Sequence, residues 1–161
     1  MITILCGRVA AGKTALAARM ERTGSVALSC DELMLTVFDG CLGERHDQTA
    51  MKCLRYLFSV AARLARRGLD VVIDYGFWLR AERDAARSYF AREGLPCRVL
   101  LVEAPESVRL ARLARRNDGL RQASGRVYLI EGELLDRMEA KFEPPGADEI
   151  FEIFDNTEEF S

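Results

Sequence analysis

Short apolar runs along the chain alternate with longer segments in which apolar residues recur at helical spacing. Five runs predict strands, namely residues 2–6, 25–30, 69–74, 97–103 and, with alternating polarity, 150–155. Apolar spacing and helix-forming composition predict helices at 15–20, 31–38, 47–67, 79–93, 105–117 and 131–141. Strands that alternate with helices in this order predict an α/β fold with a mostly parallel sheet and right-handed crossovers.

The first predicted strand runs into a glycine-bearing loop at residues 7–14, which a run of good helix formers follows. The loop has the spacing G-x-x-x-x-G-K-[ST] in the strand–loop–helix context of a phosphate-binding loop. Its backbone N–H groups are expected to point inward, and the next helix to present its positive end to phosphate. The residues predicted to bind nucleotide phosphates are Gly7, Arg8, Val9, Ala10, Ala11, Gly12, Lys13 and Thr14. Lys13 is expected to reach the β- and γ-phosphates, and the Thr14 hydroxyl to hold Mg²⁺.

Two carboxylates stand directly after predicted strands, at the edge of an α/β sheet where ligands bind. Asp74 ends the third strand and is predicted to hold Mg²⁺ opposite Thr14. Asp31 follows the second strand and is predicted to accept a proton from an acceptor hydroxyl that attacks phosphorus. The spacing also allows the two roles to be exchanged. Each aspartate could alternatively cap a helix, and Ser29 is a second candidate cap for the helix at 31–38.

The predicted helix 105–117 carries Arg109, Arg112 and Arg116, which share one helix face at i, i+3 and i+7. A polar segment with two glycines, residues 118–125, follows it and predicts a mobile loop. We interpret residues 109–130 as a basic lid, with Arg112 and Arg116 as catalytic arginines that stabilise charge on the transferred phosphate. The alternative is a solvated charged face.

Aromatic and basic residues after the third strand predict a second contact surface. Phe77 and Trp78 lie in a loop, and Arg83 lies on the helix that follows. An aromatic ring beside an arginine can stack on a ring while the guanidinium holds an anion. We therefore expect Phe77, Trp78 and Arg83 to contact the substrate that accepts the phosphate, with an aromatic core and solvated arginines as the alternative.

Composition narrows the function classes. The chain has 161 residues and a net charge of −2, which predicts one domain without a global basic field and disfavours nucleic acid as a partner. No apolar run approaches the length of a membrane span. The five cysteines are scattered without a C-x-x-C pair, which predicts reduced thiols and a cytoplasmic location.

With these residues placed, the chain resembles the small P-loop kinases, a group that includes zeta-toxin-type kinases, chloramphenicol phosphotransferase and the kinase domain of polynucleotide kinase. The segments that carry the resemblance are residues 7–14, 29–32, 71–78 with Arg83, 112–117 and 142–145. The resemblance implies a three-layer fold over residues 1–161 with a five-stranded parallel sheet in the order 2-3-1-4-5. It also implies that Asp31 is the base and that Arg112 and Arg116 belong to a mobile helical lid.

The motif and the resemblance together predict an ATP- and Mg²⁺-dependent phosphotransferase. The expected partners are a nucleoside triphosphate and a small hydroxyl-bearing acceptor such as an antibiotic, a sugar nucleotide or a nucleoside. Two alternatives stay open at this point: a polynucleotide 5′-hydroxyl kinase, and a nucleotide-binding switch with little transfer activity. A nucleoside monophosphate kinase is a weaker third option, because its phosphate acceptor needs no general base.

Overall fold

Five strands form one parallel sheet in the computed structural model, which describes residues 1–38, 45–122, 129–149 and 151–157. They are β1 (Ile2–Cys6), β2 (Val26–Ser29), β3 (Val71–Asp74), β4 (Cys97–Glu103) and β5 (Phe151–Asp155). Every neighbouring pair is parallel, and the order is β2-β3-β1-β4-β5. The predicted fold class and strand order are confirmed. The carboxyl ends of β1 and β3 therefore lie side by side at the centre of the sheet.

Within the described ranges, six helices connect the strands. They are α1 (Lys13–Arg22), α2 (Cys30–Phe38), α3 (His46–Ala65), α4 (Arg80–Arg92), α5 (Glu106–Gln122) and α6 (Gly132–Ala140). Side chains of α2, α3 and α4 pack on one face of the sheet, and α1 packs on the other. This double cover explains why β3 is apolar without alternation. Within the described residues, no helix is both long enough and apolar enough to cross a membrane.

Helix α5 is longer than the sequence pattern predicts. It continues from Asn117 to Gln122, although Gly119 and the polar composition of this stretch predict a loop. The Asn117 side chain donates to the main-chain oxygen of Ile130 at 2.9 Å, and Arg121 pairs with Asp118 and Glu131. These contacts hold the end of α5 and oppose the cost of about 1 kcal/mol that glycine imposes on a helix. Residues 118–122 of the predicted mobile loop are therefore helical, and residues 123–125 lie outside the described part of the chain.

A buried ion pair ties α4 to the segment before β5. Arg83 has no exposed surface, and its Nε and Nη2 donate to the two carboxylate oxygens of Glu149 at 2.8 and 2.7 Å. Its Nη1 donates to the main-chain oxygens of Phe77, Trp78 and Glu143 at 2.9–3.2 Å. The expectation that Arg83 contacts the substrate is corrected here, because its donors are engaged inside the protein. Arg83 instead fixes the segment after β3.

This pair predicts a specific pH dependence of stability. Hydrogen bonds from Arg83 hold the pKa of Glu149 below its ordinary value. A carboxylate with a lowered folded-state pKa stabilises the protein above its unfolded pKa of about 4.5, and this contribution is lost as pH falls through the folded pKa. We expect the difference in unfolding free energy between wild type and Glu149→Gln to be constant from pH 6 to 8 and to shrink below about pH 4.5. Urea unfolding of both proteins at matched pH measures this difference in unfolding free energy. A difference that does not change with pH would contradict the lowered pKa of Glu149.

Candidate active site

The loop between β1 and α1 packs so closely that two of its positions require glycine. A Cβ on Gly7 would lie 2.5 Å from the main-chain oxygen of Val102, and a Cβ on Gly12 would lie 2.0 Å from Nδ2 of Asn156. Gly12 also has a φ of +97°, which favours glycine, and it directly precedes α1. No side chain among the described residues caps α1. The first N–H groups of this helix are therefore available to an anion.

Lys13 begins α1 and folds back over the loop. Its Nζ donates to the main-chain oxygens of Gly7 and Arg8, each at 2.8 Å. Burial lowers the pKa of Lys13 to about 8, and the nearby carboxylates of Asp74 and Asp31 oppose that shift. The loop thus encloses an ammonium group beside the free N–H groups of a helix, and both features attract phosphate.

Thr14 and Asp74 meet across the ends of α1 and β3. Asp74 is 8% exposed and Thr14 is exposed, and the Thr14 side chain lies close enough to the Asp74 carboxylate to lower its pKa. Burial raises the pKa of Asp74, and Thr14 and Lys13 oppose this shift. A hydroxyl and a carboxylate side by side at the mouth of the loop supply the oxygen ligands that Mg²⁺ prefers.

Asp31 lies in the first turn of α2, next to the end of β2, and its side chain is exposed. Its charge acts on both Lys13 and Asp74. The cap of α2 is Ser29, whose Oγ accepts a hydrogen bond from the main-chain N–H of Glu32 at 3.2 Å. Asp31 is therefore not needed as a cap, and the parallel register brings it to the same edge as the loop.

The three arginines on the predicted face of α5 have different surroundings. Arg109 is buried and donates to the main-chain oxygen of Val9 at 3.0 Å and to the Glu139 carboxylate at 2.7 Å. Arg112 donates to the main-chain oxygen of Asn156 at 2.9 Å. Arg116, one turn further along, is exposed. The amino-terminal part of α5 is thus fixed to the loop, and Arg116 is the arginine that reaches solvent.

The sequence pattern does not reveal two contacts of the loop, those with Glu139 and Asn156. Glu139 on α6 accepts hydrogen bonds from Arg8 at 2.8 Å and from Arg109 at 2.7 Å, which joins the loop to α5 and α6. No local pattern could reveal this contact, since Arg8 and Glu139 are 131 residues apart. Asn156 follows β5 and donates from Nδ2 to the main-chain oxygen of Ala11 at 2.8 Å. Since ligands bind beyond the carboxyl ends of parallel strands, the position of Asn156 directly after the last strand is the signal in the sequence that points to it.

Phe77 belongs to the core, whereas Trp78 contacts the loop. Phe77 has no exposed surface, and its ring lies nearly parallel to that of Phe58 with the ring centres 6.4 Å apart. The φ of +43° at Phe77 accompanies this buried position in the short segment after β3. Trp78 is half-buried and donates from Nε1 to the main-chain oxygen of Gly7 at 3.0 Å. The substrate role predicted for Phe77 is wrong because the ring is core, and the Trp78 indole N–H is engaged with the loop.

Solved structures of other proteins, two of them named as kinases, share this fold at low sequence identity. Each of the following covers 98% of this chain. Gluconokinase from Sinorhizobium meliloti has a TM-score of 0.65 at 16% identity, with 83% of that chain covered. The APS kinase of Mycobacterium tuberculosis in complex with AMPPNP and APS has a TM-score of 0.68 at 17% identity, with 89% covered. Kti12 from Chaetomium thermophilum in complex with ADP-AlF3 has a TM-score of 0.68 at 15% identity, with 89% covered.

Sequence comparison adds one finding at the level of family. No curated protein matches the sequence. A family model described as "AAA domain" matches residues 2–145, which include the phosphate-binding loop, Asp31, Asp74 and the arginines of α5. Since the match covers most of the chain, the protein belongs to this AAA domain family, whose members are P-loop kinase-like proteins.

Proposed function

We propose that the protein is an ATP- and Mg²⁺-dependent phosphotransferase that moves the γ-phosphoryl group of ATP to a hydroxyl of a small molecule. The observation that carries the proposal is the joint placement of Lys13, the Thr14–Asp74 pair and the exposed Asp31 at one edge of the sheet. A phosphate cradle, a metal-binding pair and an accessible carboxylate are the three parts that phosphoryl transfer to a hydroxyl requires.

The residues of the loop fit the cofactors. The uncapped N-terminus of α1 and the Lys13 ammonium favour a triphosphate, whose oxygens can replace the main-chain oxygens of Gly7 and Arg8 as partners of Nζ. Thr14 and Asp74 would hold Mg²⁺ through oxygen atoms, directly or through water. Bound Mg²⁺ neutralises charge on the β- and γ-phosphate oxygens.

Asp31 is the proposed general base. The acceptor oxygen forms a bond to the γ-phosphorus, the bond from that phosphorus to the bridging oxygen breaks, ADP leaves, and Asp31 takes the hydroxyl proton. The exchange of roles between the two aspartates is less favoured, because Asp74 is buried next to Thr14, whereas Asp31 is exposed and open to an acceptor.

Arg116 is the proposed lid arginine. It is exposed on α5, whereas Arg109 and Arg112 already bond to main-chain oxygens near the loop. A movement of the distal part of α5 would carry the Arg116 guanidinium toward the transferred phosphate and leave the proximal part in place. An arginine in that position stabilises transition-state charge without proton transfer.

A small molecule is the proposed class of acceptor. Two structural neighbours are named as kinases of small molecules, a gluconokinase and an APS kinase. The net charge of −2 disfavours the polyanionic acceptor that a polynucleotide kinase would need. An antibiotic, a sugar nucleotide or a nucleoside fits this reading, and the hydroxyl would approach from the side of Asp31 on α2.

The test is ATP consumption with Mg²⁺ against a panel of nucleosides, sugar nucleotides, aminoglycosides, chloramphenicol and a 5′-hydroxyl oligonucleotide. We expect turnover with one acceptor class and a loss of about 10²–10³-fold in Lys13→Ala, because a positioned cation on the phosphates is removed. Lys52→Ala is the matched control, since Lys52 is exposed on α3. Tight ATP binding without acceptor-dependent turnover would favour the nucleotide-binding switch, and turnover that survives in Lys13→Ala would contradict the proposal.

A further inference from the structure

We propose that Asn156 is a positioning residue that holds the phosphate-binding loop in its binding conformation, an inference that rests on the proposed nucleotide-binding function. Asn156 follows the last residue of β5 and is 2% exposed. It belongs to none of the segments that the loop motif or the two aspartates define, so its role is additional to theirs.

The contacts of Asn156 join the loop to β4 and to α5. Its Nδ2 donates to the main-chain oxygen of Ala11 at 2.8 Å. Its main-chain N–H donates to the oxygen of Glu103 at the end of β4 at 2.7 Å. Its main-chain oxygen accepts from Nη2 of Arg112 on α5 at 2.9 Å. One residue thus connects the loop, the ends of two strands and the helix that carries the proposed lid arginine.

The same side chain occupies the space that Gly12 leaves open. A Cβ on Gly12 would lie 2.0 Å from Nδ2 and 3.3 Å from Cγ of Asn156, so the carboxamide packs directly on the Gly12 backbone. Gly12 immediately precedes Lys13 and the free N–H groups of α1. A shift of the carboxamide would therefore allow the residues that bind phosphate to move.

The orientation of the carboxamide is fixed at a cost. Oδ1 of Asn156 is buried and accepts no hydrogen bond from the described residues. A buried acceptor without a partner is unfavourable, and such groups in native proteins call for a reason. The bond from Nδ2 to the Ala11 oxygen supplies that reason, because the opposite orientation would place two oxygens against each other.

Asn117 provides a matched control within the same chain. It is 4% exposed, and its Nδ2 also donates to a main-chain oxygen at 2.9 Å, that of Ile130. Its contacts join α5 to the segment before α6 and do not touch the loop. Asn→Asp at either site removes an amide donor and adds a charge in a buried position, but only Asn156→Asp does so beside the phosphate cradle.

The experiment measures amide hydrogen exchange without nucleotide and ATP affinity with Mg²⁺ for wild type, Asn156→Asp, Asn156→Ala and Asn117→Asp. The informative amides are those of Ala11 and Leu16, which donate to the oxygens of Arg8 and Gly12 within and just after the loop. We expect these amides to exchange about five to ten times faster in both Asn156 variants, as loss of one hydrogen bond implies. We expect ATP affinity to fall more than about tenfold in Asn156→Asp and to stay within about twofold in Asn117→Asp.

Unchanged exchange at Ala11 and Leu16 in the Asn156 variants would overturn the inference, and so would an equal loss of ATP affinity in Asn117→Asp. Asn156→Ala decides the question if Asn156→Asp does not fold. Exchange is measured without ligand, so the role of Asn156 in holding the loop is tested even if wild type fails to bind ATP. Failure of wild type to bind ATP would refute the proposed function, and the exchange rates would still show whether Asn156 holds the loop.

Discussion

Replacing Asp31 by asparagine should lower the rate of phosphoryl transfer by about 10²–10⁴-fold while ATP affinity stays within about twofold. Asparagine has nearly the size and shape of aspartate but cannot accept the proton of an attacking hydroxyl. The side chain of Asp31 is exposed at the edge of the sheet beside the loop. It can therefore meet an acceptor without a change in the fold.

ATP binding should survive because Asp31 makes no hydrogen bond to the described residues of the loop and does not cap its own helix. Lys13 is held by the oxygens of Gly7 and Arg8, and the cap of α2 is Ser29. Loss of the Asp31 charge removes a group of the same sign as the phosphates, which acts slightly in favour of nucleotide binding. A fall in kcat with an unchanged dissociation constant for ATP is the expected signature of a group that acts during transfer.

Glu32→Gln is the matched control, because Glu32 is acidic, exposed and in the same helical turn. Acceptor-dependent kcat and the dissociation constant of ATP are measured for wild type and both variants. Wild-type turnover in Asp31→Asn would assign the base to Asp74 or remove the need for a base. An equal loss of turnover in Glu32→Gln would show that the effect comes from the negative charge of the first turn of α2 and not from Asp31 itself.

The sequence predicts the strand, loop and helix start at residues 7–14 because its information there is local. Residues 7–14 combine a strand, a glycine-bearing loop and a helix start, and all three are encoded within a few residues. Asp31 and Asp74 followed from the rule that parallel strands end at one edge of the sheet. The register between β2 and β3 brings these two strand ends together, as that rule requires.

The surroundings of the loop could not be predicted, because they depend on contacts between distant residues. The spacing of Arg109, Arg112 and Arg116 correctly indicates one helix face, but Glu139 and Asn156 decide which of them is held and which is exposed. An arginine near a predicted site suggests that its guanidinium binds an anionic group of the ligand. The guanidinium of Arg83 instead pairs with Glu149, a residue of this chain 66 positions away.

Replacing Arg83 by methionine should lower the free energy of unfolding by about 3–5 kcal/mol. The change leaves the Glu149 carboxylate buried without its guanidinium partner, and it removes the donor shared by the main-chain oxygens of Phe77, Trp78 and Glu143. An uncompensated buried charge is far more costly than the loss of an exposed pair. Since small domains are stable by about 5–15 kcal/mol in total, the loss is a large share of that stability.

Urea unfolding at pH 7 measures the effect, with Arg66→Met as the control. Arg66 pairs with Glu93 at the protein surface, and exposed pairs of this kind contribute about 0–1 kcal/mol. The double variant Arg83→Met/Glu149→Leu should recover part of the lost stability, because it removes the unpaired charge. The recovery should be incomplete, since the three main-chain oxygens still lack a donor. A loss below about 1 kcal/mol in Arg83→Met would contradict the buried pair.

The Arg83→Met variant also distinguishes two possible roles of Arg83, which are to hold the segment after β3 in place and to bind the substrate. Arg83 fixes the main-chain oxygens of Phe77 and Trp78, and the Trp78 indole in turn donates to the oxygen of Gly7 in the loop. Arg83→Met that remains folded should therefore weaken ATP binding as well as lower stability. The double variant should recover only part of both, because the main-chain oxygens of Phe77 and Trp78 still lack their donor. A selective rise in KM for the acceptor, with stability and ATP affinity unchanged, would instead show that Arg83 contributes to substrate binding. The complete burial of its guanidinium argues against that outcome, because no acceptor can reach it while the segment after β3 is folded.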